Sequence, residues 1–406
     1  MQEVTDLSNN FYTGFFKSDH LSDRDKYLFA KPSPAYKFNI IGAGMIGQEH
    51  IRVTMLEGRA TIHGIFDINT NSIANTGEFF RREYPAEPDL KVYETLEAVC
   101  HDPEVDGLII CTPNYTHKDV IKEAIKSGKH ILVEKPMTTT VKDAREISNL
   151  AKDYESVFQI GLQYRHKSIY TEATHELLER KAAGNIKTIS IVEHRVPFLD
   201  KVNQWNKFSH YSGGTMIEKC CHYFDLLNFY AQSKPEKVYA TGGMDVNYHD
   251  FKYDGNASDI VDNAMVIVNY ENGIKAQFNL CMFAPMFYEE IIVCGDKGRL
   301  KAYENDDFLP LNREKTYLEV LSGENGPAKT AHPCYPSVIQ ESGHNGATYY
   351  EHKYFIDNME RNHQSTATVE DGFWSIVVGE AAERSIKTGD VINIREMIDA
   401  EIGSKL

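Results

Sequence analysis

Glu218, His222 and Asp225 are spaced so that one helical face would carry all three, because residues three and four apart are neighbours on a helix. A carboxylate beside an imidazole can fix its tautomer and raise its basicity, which is the arrangement a general base requires. Spacing alone decides little, since a histidine on a helix is more often structural than catalytic. Cys220 and Cys221 lie inside the same run. Adjacent helical positions diverge by about 100° and no second metal-ligand cluster accompanies the pair, so buried packing is their expected role and no metal is expected.

A second group of residues has the chemistry of binding. Gly42-Ala43-Gly44-Met45-Ile46-Gly47 is a G-x-G-x-x-G that follows the apolar run Phe38–Ile41 and opens a predicted helix through Leu56. The first glycine permits a tight turn, the second lets backbone approach a pyrophosphate, and the third lets helix pack closely on strand, while the helix N-terminus attracts phosphate charge. Gly42, Gly44, Met45, Ile46 and Gly47 are therefore expected to bind a dinucleotide. Asp67 lies twenty residues after Gly47, at the end of the next apolar run, where a carboxylate can accept hydrogen bonds from the adenosine ribose. It would repel the extra phosphate of NADP, and neither Ile68 nor Asn69 offers a compensating cation. NAD is the expected cofactor.

Such a loop needs a doubly wound sheet to hold it. Short apolar runs at Phe38–Ile41, Ala60–Phe66, Gly107–Cys111, His130–Val133 and Val157–Ile160 alternate with helix-length segments, the signature of βαβ units and a parallel sheet. After Gly161 the strands lengthen and alternate, at Ile186–Val196, Lys237–Gly242, Asp262–Tyr270, Ile274–Met282 and Glu290–Cys294. Asn272-Gly273 occupies the place of a hairpin turn of type I′, whose central residues both need positive φ. The expected fold is an α/β Rossmann domain over 37–161, followed over 162–406 by an α+β domain with a large, mainly antiparallel open sheet. Tyr349 to Ile386 reads as helical. An arm over 1–36, with aromatics at Phe11, Tyr12, Phe15, Phe16, Tyr27 and Phe29, is expected to pack on its own chain.

Bulk properties narrow the partners. The 406 residues carry 43 Lys and Arg against 59 Asp and Glu, a formal charge of −16, which disfavours nucleic acid and anionic membranes. No apolar run of about 18 residues is present to span a bilayer. The polar, acidic stretch Met1 to Asn10 lacks a secretory pattern, and seven cysteines without a C-x-x-C pair fit neither a disulfide framework nor a zinc knuckle. A reducing, cytoplasmic setting is expected.

Polar residues follow the later strands of the first domain, Thr112-Pro113-Asn114-Tyr115-Thr116-His117 and then Glu134-Lys135-Pro136, where the carboxyl ends of strands line the ligand crevice. Together with the glycine fingerprint and Gly213-Gly214-Thr215-Met216-Ile217-Glu218-Lys219-Cys220-Cys221-His222-Tyr223-Phe224-Asp225, they resemble the markers of the glucose-fructose oxidoreductase, inositol dehydrogenase and MocA family, over roughly residues 37 to 394. Two positions depart from the pattern: Glu218 stands where the family usually has aspartate, and Cys220 where it usually has glycine.

The resemblance implies that Thr112, Asn114, His117, Glu134 and Lys135 also hold the cofactor, that His222 is the acid/base and that Lys135 is its partner. Glu218, longer by one methylene, is either catalytic or a substrate ligand. Arg165, His194 and Tyr211, with Trp205 and His344, are candidates for touching a polyol. The implied reaction is hydride transfer between NAD and a secondary alcohol carbon of a sugar, glycoside or cyclitol, in a homodimer or homotetramer. Two other readings stay open: transient oxidation that permits glycoside cleavage without net redox, and an NAD-bound regulator without chemistry. A sensor needs neither Lys135 nor His222, which argues against the last. The subunit contact is expected at the open sheet, where Val266, Val268, Phe278 and Leu280 need cover on one side or the other.

Overall fold

The computed structural model describes residues 34–307, 315–324, 326, 328–363 and 365–403, so the aromatic arm lies outside the described residues. The apolar runs of the first domain become β1 (Tyr36–Ile41), β2 (Ala60–Phe66), β4 (Gly107–Ile110), β5 (His130–Glu134) and β6 (Phe158–Gly161), joined by a short β3 (Lys91–Val92). All pairs are parallel and the order is β3-β2-β1-β4-β5-β6. Leu108-Ile109-Ile110 and Ile131-Leu132-Val133 are buried on both faces, the condition under which a strand is continuously apolar. The order reverses between β1 and β4, and there such a sheet opens its ligand crevice. The two exposed residues of β3 carry no periodic signal and are not among the expected strands.

The second sheet has nine strands: β7 (Ile186–His194), β8 (Pro235–Gly243), β11 (Asn263–Tyr270), β12 (Lys275–Cys281), β13 (Met286–Gly295), β14 (Gly298–Asp307), β15 (Thr316–Ser322), β16 (Ala328–Ala331) and β17 (Ile392–Asn393). A separate ribbon pairs β9 (Lys252–Tyr253) with β10 (Asn256–Ala257). The order is β16-β15-β14-β13-β7-β12-β11-β8-β17, antiparallel except for β7 with β12. β14 escapes a reading by apolar pattern because its inward positions are Leu300, Ala302 and the buried Glu304.

The turn between β11 and β12 differs from the expected type I′. Gly273 alone has positive φ (85°), and its N–H donates to the Tyr270 carbonyl at 2.9 Å. That is a three-residue loop ending in a left-handed glycine, the next most common hairpin solution.

Val266, Val268, Phe278 and Leu280 all turn to the helix-covered face, where Phe278 packs against Tyr223 and Phe224 of the helix Cys221–Ala231. They have their cover within the chain. The apolar groups left half-exposed on the other side of β8 and β11 are Tyr239, Met265 and Ile267.

The helical stretch after Tyr349 is two helices, Ala347–Arg361 and Val369–Thr388. Asn362 ends the first in the left-handed region, and Thr368 and Asp371 start the second with a reciprocal capping box. The first of these helices covers the parallel sheet, for Phe355, Ile356 and Met359 join Phe38, Ile40 and Ile109 in one core. Among the described residues no helix is long and apolar enough to cross a membrane.

Candidate active site

β1 ends at Ile41, and the three glycines that follow answer three different demands. Gly42 has φ 101°, and a Cβ there would lie 2.6 Å from the Cys111 carbonyl carbon. At Gly47 a Cβ would lie 2.2 Å from the Gly42 oxygen. Around Gly44 a Cβ would meet nothing within 4 Å, so the space over the N-terminus of the helix Met45–Glu57 is open. No side chain caps that helix and no acidic residue sits in its first turn, which leaves its N–H groups and dipole facing the opening. A pyrophosphate fits there.

Asp67, directly after β2, accepts the Ala43 N–H at 2.8 Å and the Asn69 N–H at 2.8 Å. It therefore braces the glycine loop. Ile68 beside it is 89% exposed.

After β4, Thr112, Asn114 and His117 divide the work. His117 is fully buried, with Nδ1 2.8 Å from the Pro136 carbonyl and Nε2 2.8 Å from the Thr112 carbonyl. Burial pulls its pKa below the ordinary range. Neither ring nitrogen is left for a cofactor, so His117 ties the β4 loop to the β5 loop instead of making the expected contact. Asn114 is buried and its Nδ2 has no partner among the described residues. Buried donors are rarely left unpaired, so the tied loop presents a group suited to a bound nicotinamide nucleotide.

Glu134 closes β5. Its Oε1 lies 3.0 Å from His50 Nε2, and its Oε2 accepts the Lys135 N–H at 3.1 Å. His50 Nδ1 is in turn 2.7 Å from His352 Nε2. Burial opposes a charge on His50, but Cys111 and Glu134 outweigh it and hold the imidazolium well above its usual range. Glu351 is buried nearby with no partner for either oxygen among the described residues, and burial, then Glu134, pushes its carboxyl well up. Ligand-type atoms of His50, Glu134 and Glu351 lie within 4.8 Å of one another, a grouping that could take a cation and that no sequence spacing reveals.

The Lys135–Pro136 peptide is cis. Lys135 Nζ donates to the Glu218 carbonyl at 3.0 Å and lies 4.0 Å from Glu218 Oε1. Burial pulls the ammonium down, but Glu218 and the other acidic groups around it hold it above the ordinary lysine range.

The single helical face expected from Glu218 to Asp225 is broken. Thr215–Glu218 and Cys221–Ala231 are separate helices joined through Lys219 and Cys220. Glu218 and His222 consequently do not form the expected carboxylate–imidazole pair, and His222 Nδ1 is buried without a partner among the described residues. Asp225 is held by Arg165, whose Nε and Nη2 donate at 2.7 and 2.5 Å, and Arg165 also reaches Asp371 at 3.1 Å. Arg165 is thus a buried structural partner and not a group free for a polyol. Burial pushes Asp225 up to about 6 despite Arg165.

His222 instead lies against Tyr164, whose hydroxyl accepts from Lys219 at 2.6 Å, and Lys219 pairs with Glu193 at 3.0 Å. Burial, then the Lys135 and Lys219 charges, pull the imidazole well below its usual pKa, so it rests neutral and its protonated form is disfavoured. Tyr164 and Lys219 are absent from the residues chosen by sequence. The signal for Tyr164 was available, since it follows β6 just as Lys135 follows β5.

His194 ends β7, its ring 6.2 Å from Tyr288, and His344 pairs with Glu49 at 2.7 Å. Lys201, also unforeseen, feels the Glu218 and Glu134 carboxylates, although burial pulls its pKa down. Tyr211 and Trp205 line a cavity of about 270 Å³ together with Tyr115 and Tyr253.

Two family models cover most of the chain. One described as "Oxidoreductase family, NAD-binding Rossmann fold" matches residues 36–162, and one described as "Oxidoreductase family, C-terminal alpha/beta domain" matches residues 175–394. The chain is 24% identical over 365 residues to a myo-inositol 2-dehydrogenase of Thermotoga maritima, covering 89% of this chain and 99% of the relative. It is 24% identical over 359 residues to an inositol 2-dehydrogenase of Rhizobium meliloti, covering 88% and 99%. In fold it is similar to levoglucosan dehydrogenase solved with NADH and levoglucosan, with a TM-score of 0.74, 17% identity, and 88% and 99% of the two chains covered.

Proposed function

The chain belongs to the Gfo/Idh/MocA oxidoreductase family, and from that membership we propose that it oxidises a secondary hydroxyl of a sugar, glycoside or cyclitol, using NAD. The observation that carries this reading is geometric: Lys135, directly after β5 at the carboxyl edge of the parallel sheet, donates to the Glu218 carbonyl at 3.0 Å, four residues before the buried His222. Bound NAD supplies the hydride acceptor. Oxidation also needs somewhere for the hydroxyl proton to go, and a neutral imidazole accepts it. Lys135, ionised throughout, donates a hydrogen bond to the same oxygen and offsets negative charge as the O–H bond breaks. The C–H bond loses hydride, the O–H bond loses a proton to His222, and a ketone is left. In the reductive direction both groups act in reverse.

A panel of inositols, sugars and glycosides assayed for NADH formation at alkaline pH tests the reading. NADH accumulation with at least one polyol supports it. Release of an aglycone without NADH accumulation would instead identify glycoside cleavage through transient oxidation, and neither outcome with any compound would point to a regulator.

We further propose that the chain works in the cytoplasm as a homodimer or homotetramer built on the open face of the nine-stranded sheet. Half-exposed Tyr239, Met265 and Ile267 support that assignment, because apolar patches of this kind mark interfaces.

A further inference from the structure

We propose that the substrate is a glycoside, with a second, uncharged ring seated in the aromatic pocket formed by Tyr115, Trp205, Tyr211 and Tyr253 while the first ring reacts. The inference rests on the hydride-transfer reading and adds to it the part of the substrate that is not oxidised.

Both walls of the pocket lead to the reacting groups. Tyr115 follows Asn114 in the loop after β4, and β4 is the neighbour of β5, whose end carries Lys135. Paired strands lie about 4.8 Å apart, so the two loops share one rim of the crevice. Trp205 and Tyr211 stand on the segment that runs into Gly213 and the short helix ending at Glu218. That segment lies against the first domain, because a Cβ on Gly213 would be 2.9 Å from the Thr139 carbonyl.

The chemistry of the lining suits a sugar or aryl ring. Tyr115 is 4.9 Å from Tyr211 and 6.5 Å from Trp205, centroid to centroid. Tyr115, Tyr211 and Tyr253 are each about two-fifths exposed, an amount of open aromatic surface that marks a ligand groove when polar groups rim it. Asn203, Asp254 and Asn256 supply that rim with amide and carboxylate groups able to bind hydroxyls. The lining contains a carboxylate and neither lysine nor arginine, which disfavours a phosphate or uronate. A cavity of about 270 Å³ is at the lower edge of the roughly 300–1,000 Å³ usual for small-molecule sites, room for one ring and not for a chain.

The pocket is held in shape before any ligand arrives. Asn203 and Gln204 have φ of 55° and 53°, a region that non-glycine residues keep only when their surroundings enforce it, often at ligand clamps, while Asp254 and Gly255, with φ of 51° and 79°, form the two-residue hairpin turn between β9 and β10. The enforcement is visible. Lys207 donates to Asp200 and, at 2.8 Å, to Gln204, and lies 4.4 Å from the Phe251 ring centre, which ties the Trp205 segment to the approach to β9. The Ser209 N–H donates to Asp259 at 2.7 Å on the far side. Preorganised walls of this kind lower the ordering cost of binding.

Initial rates with NAD would be compared for a methyl glycoside, a phenyl glycoside and a disaccharide that share one reacting ring, the ring being chosen from those turned over in the panel. The expected result is a kcat/KM at least tenfold higher for the disaccharide or the phenyl glycoside than for the methyl glycoside, carried mainly by KM. Whichever of the two leads identifies the second ring as sugar or aryl. Tyr115→Ala and Tyr253→Ala should each bring that ratio toward one. Trp205 and Trp374 are the two tryptophans of the chain, so in a Trp374→Phe background the Trp205 emission reports occupancy of the pocket without any turnover. Equal kcat/KM for all three compounds, or a ratio unmoved in both tyrosine variants, overturns the proposal. If no compound is oxidised but Trp205 emission shifts with the disaccharide or phenyl glycoside and not with the methyl glycoside, the hydride-transfer reading fails and the pocket stands. If emission is unmoved by all three, the pocket fails.

Discussion

The imidazole of His222 lies flat on the ring of Tyr164, with 3.9 Å between centroids and 5° between planes. Tyr164 is itself fixed: Lys219 donates to its hydroxyl, and the Lys167 ammonium sits 4.4 Å from its ring centre while paired with Glu289 and Glu304 at 2.8 and 2.9 Å. The His222 ring is therefore oriented by an aromatic plate and not by a carboxylate. Tyr164→Phe keeps the plate, and its kcat/KM should fall by less than about tenfold. Tyr164→Ala removes it and should cost about 10²-fold, the scale of a misplaced catalytic group. Steady-state kinetics with circular dichroism on both variants check this, and equal losses would show that the hydroxyl matters more than the plate.

Lys135→Ala and His222→Ala test the chemistry itself. Each should lower kcat by about 10²–10⁴-fold, the range for general acid–base groups, while NAD affinity measured by calorimetry and the folded spectrum stay close to wild type. A variant with near-wild-type kcat would remove that residue from the mechanism. A variant that fails to fold would make its role structural.

The parts of this site that were legible in the sequence are those demanded by backbone geometry or by a local motif. Gly42 and Gly47 have no room for a side chain, and Gly44 borders the opening a pyrophosphate needs, so their spacing announces them once the strand before and the helix after are read with it. The plate under His222 was not legible, because Tyr164 and His222 are distant in sequence and meet only through packing. The run from Thr215 to Asp225 keeps a helical pattern, and nothing in it marks the break at Lys219 and Cys220. His117 reads like a ligand contact, yet its two carbonyl partners come from separate loops. β14 hides its inward face because Glu304, on that face, is matched by Lys167 from outside the strand.

Asp67 braces the glycine loop, and a change of cofactor preference tests whether it also faces the adenosine ribose. NAD should bind more tightly than NADP to the natural chain. Asp67→Ser combined with Ile68→Arg removes the repelling carboxylate and adds a cation, so the ratio of NADP to NAD affinity should rise at least tenfold. The same change removes the acceptor for the Ala43 and Asn69 N–H groups, so stability should fall by about 1–3 kcal/mol. Titration calorimetry and thermal melts read the two effects independently. Tighter NADP binding by the natural chain would mean that Asp67 is not at the ribose.

Glu351 should be held as the neutral acid, with an oxygen within 4.8 Å of the His50–Glu134 pair. Its folded pKa is raised, so between its unfolded and folded values the native state holds a proton that the unfolded state has lost, and stability declines as pH rises through that window. Glu351→Gln mimics the protonated acid. It should match wild type near pH 4.5 and be the more stable of the two at pH 8. If the variant were less stable at both, and EDTA lowered the melting temperature of the natural chain to the same level, His50, Glu134 and Glu351 would be holding a divalent ion.

Glu383 connects pH to the segment that carries Glu218. Its Oε1 accepts the Met216 N–H at 3.0 Å, and the chain passes so close that a Cβ on Gly214 would lie 2.3 Å from that oxygen. Burial raises the carboxyl from 4.5 to about 7, against the pull of the Met216 N–H. A raised acid is protonated in the native state while already ionised in the unfolded one, so its contribution to stability is lost as pH climbs from 4.5 towards 7 and stays lost above. At about 1.4 kcal/mol per pH unit, the loss between pH 5 and pH 8 is about 2.5 kcal/mol. Glu383→Gln removes the titration, and the difference in unfolding free energy between variant and wild type, from denaturant melts, should move in the variant's favour by that amount over the same interval. A difference independent of pH would mean that Glu383 is ionised throughout and that the Met216 N–H, not burial, governs it.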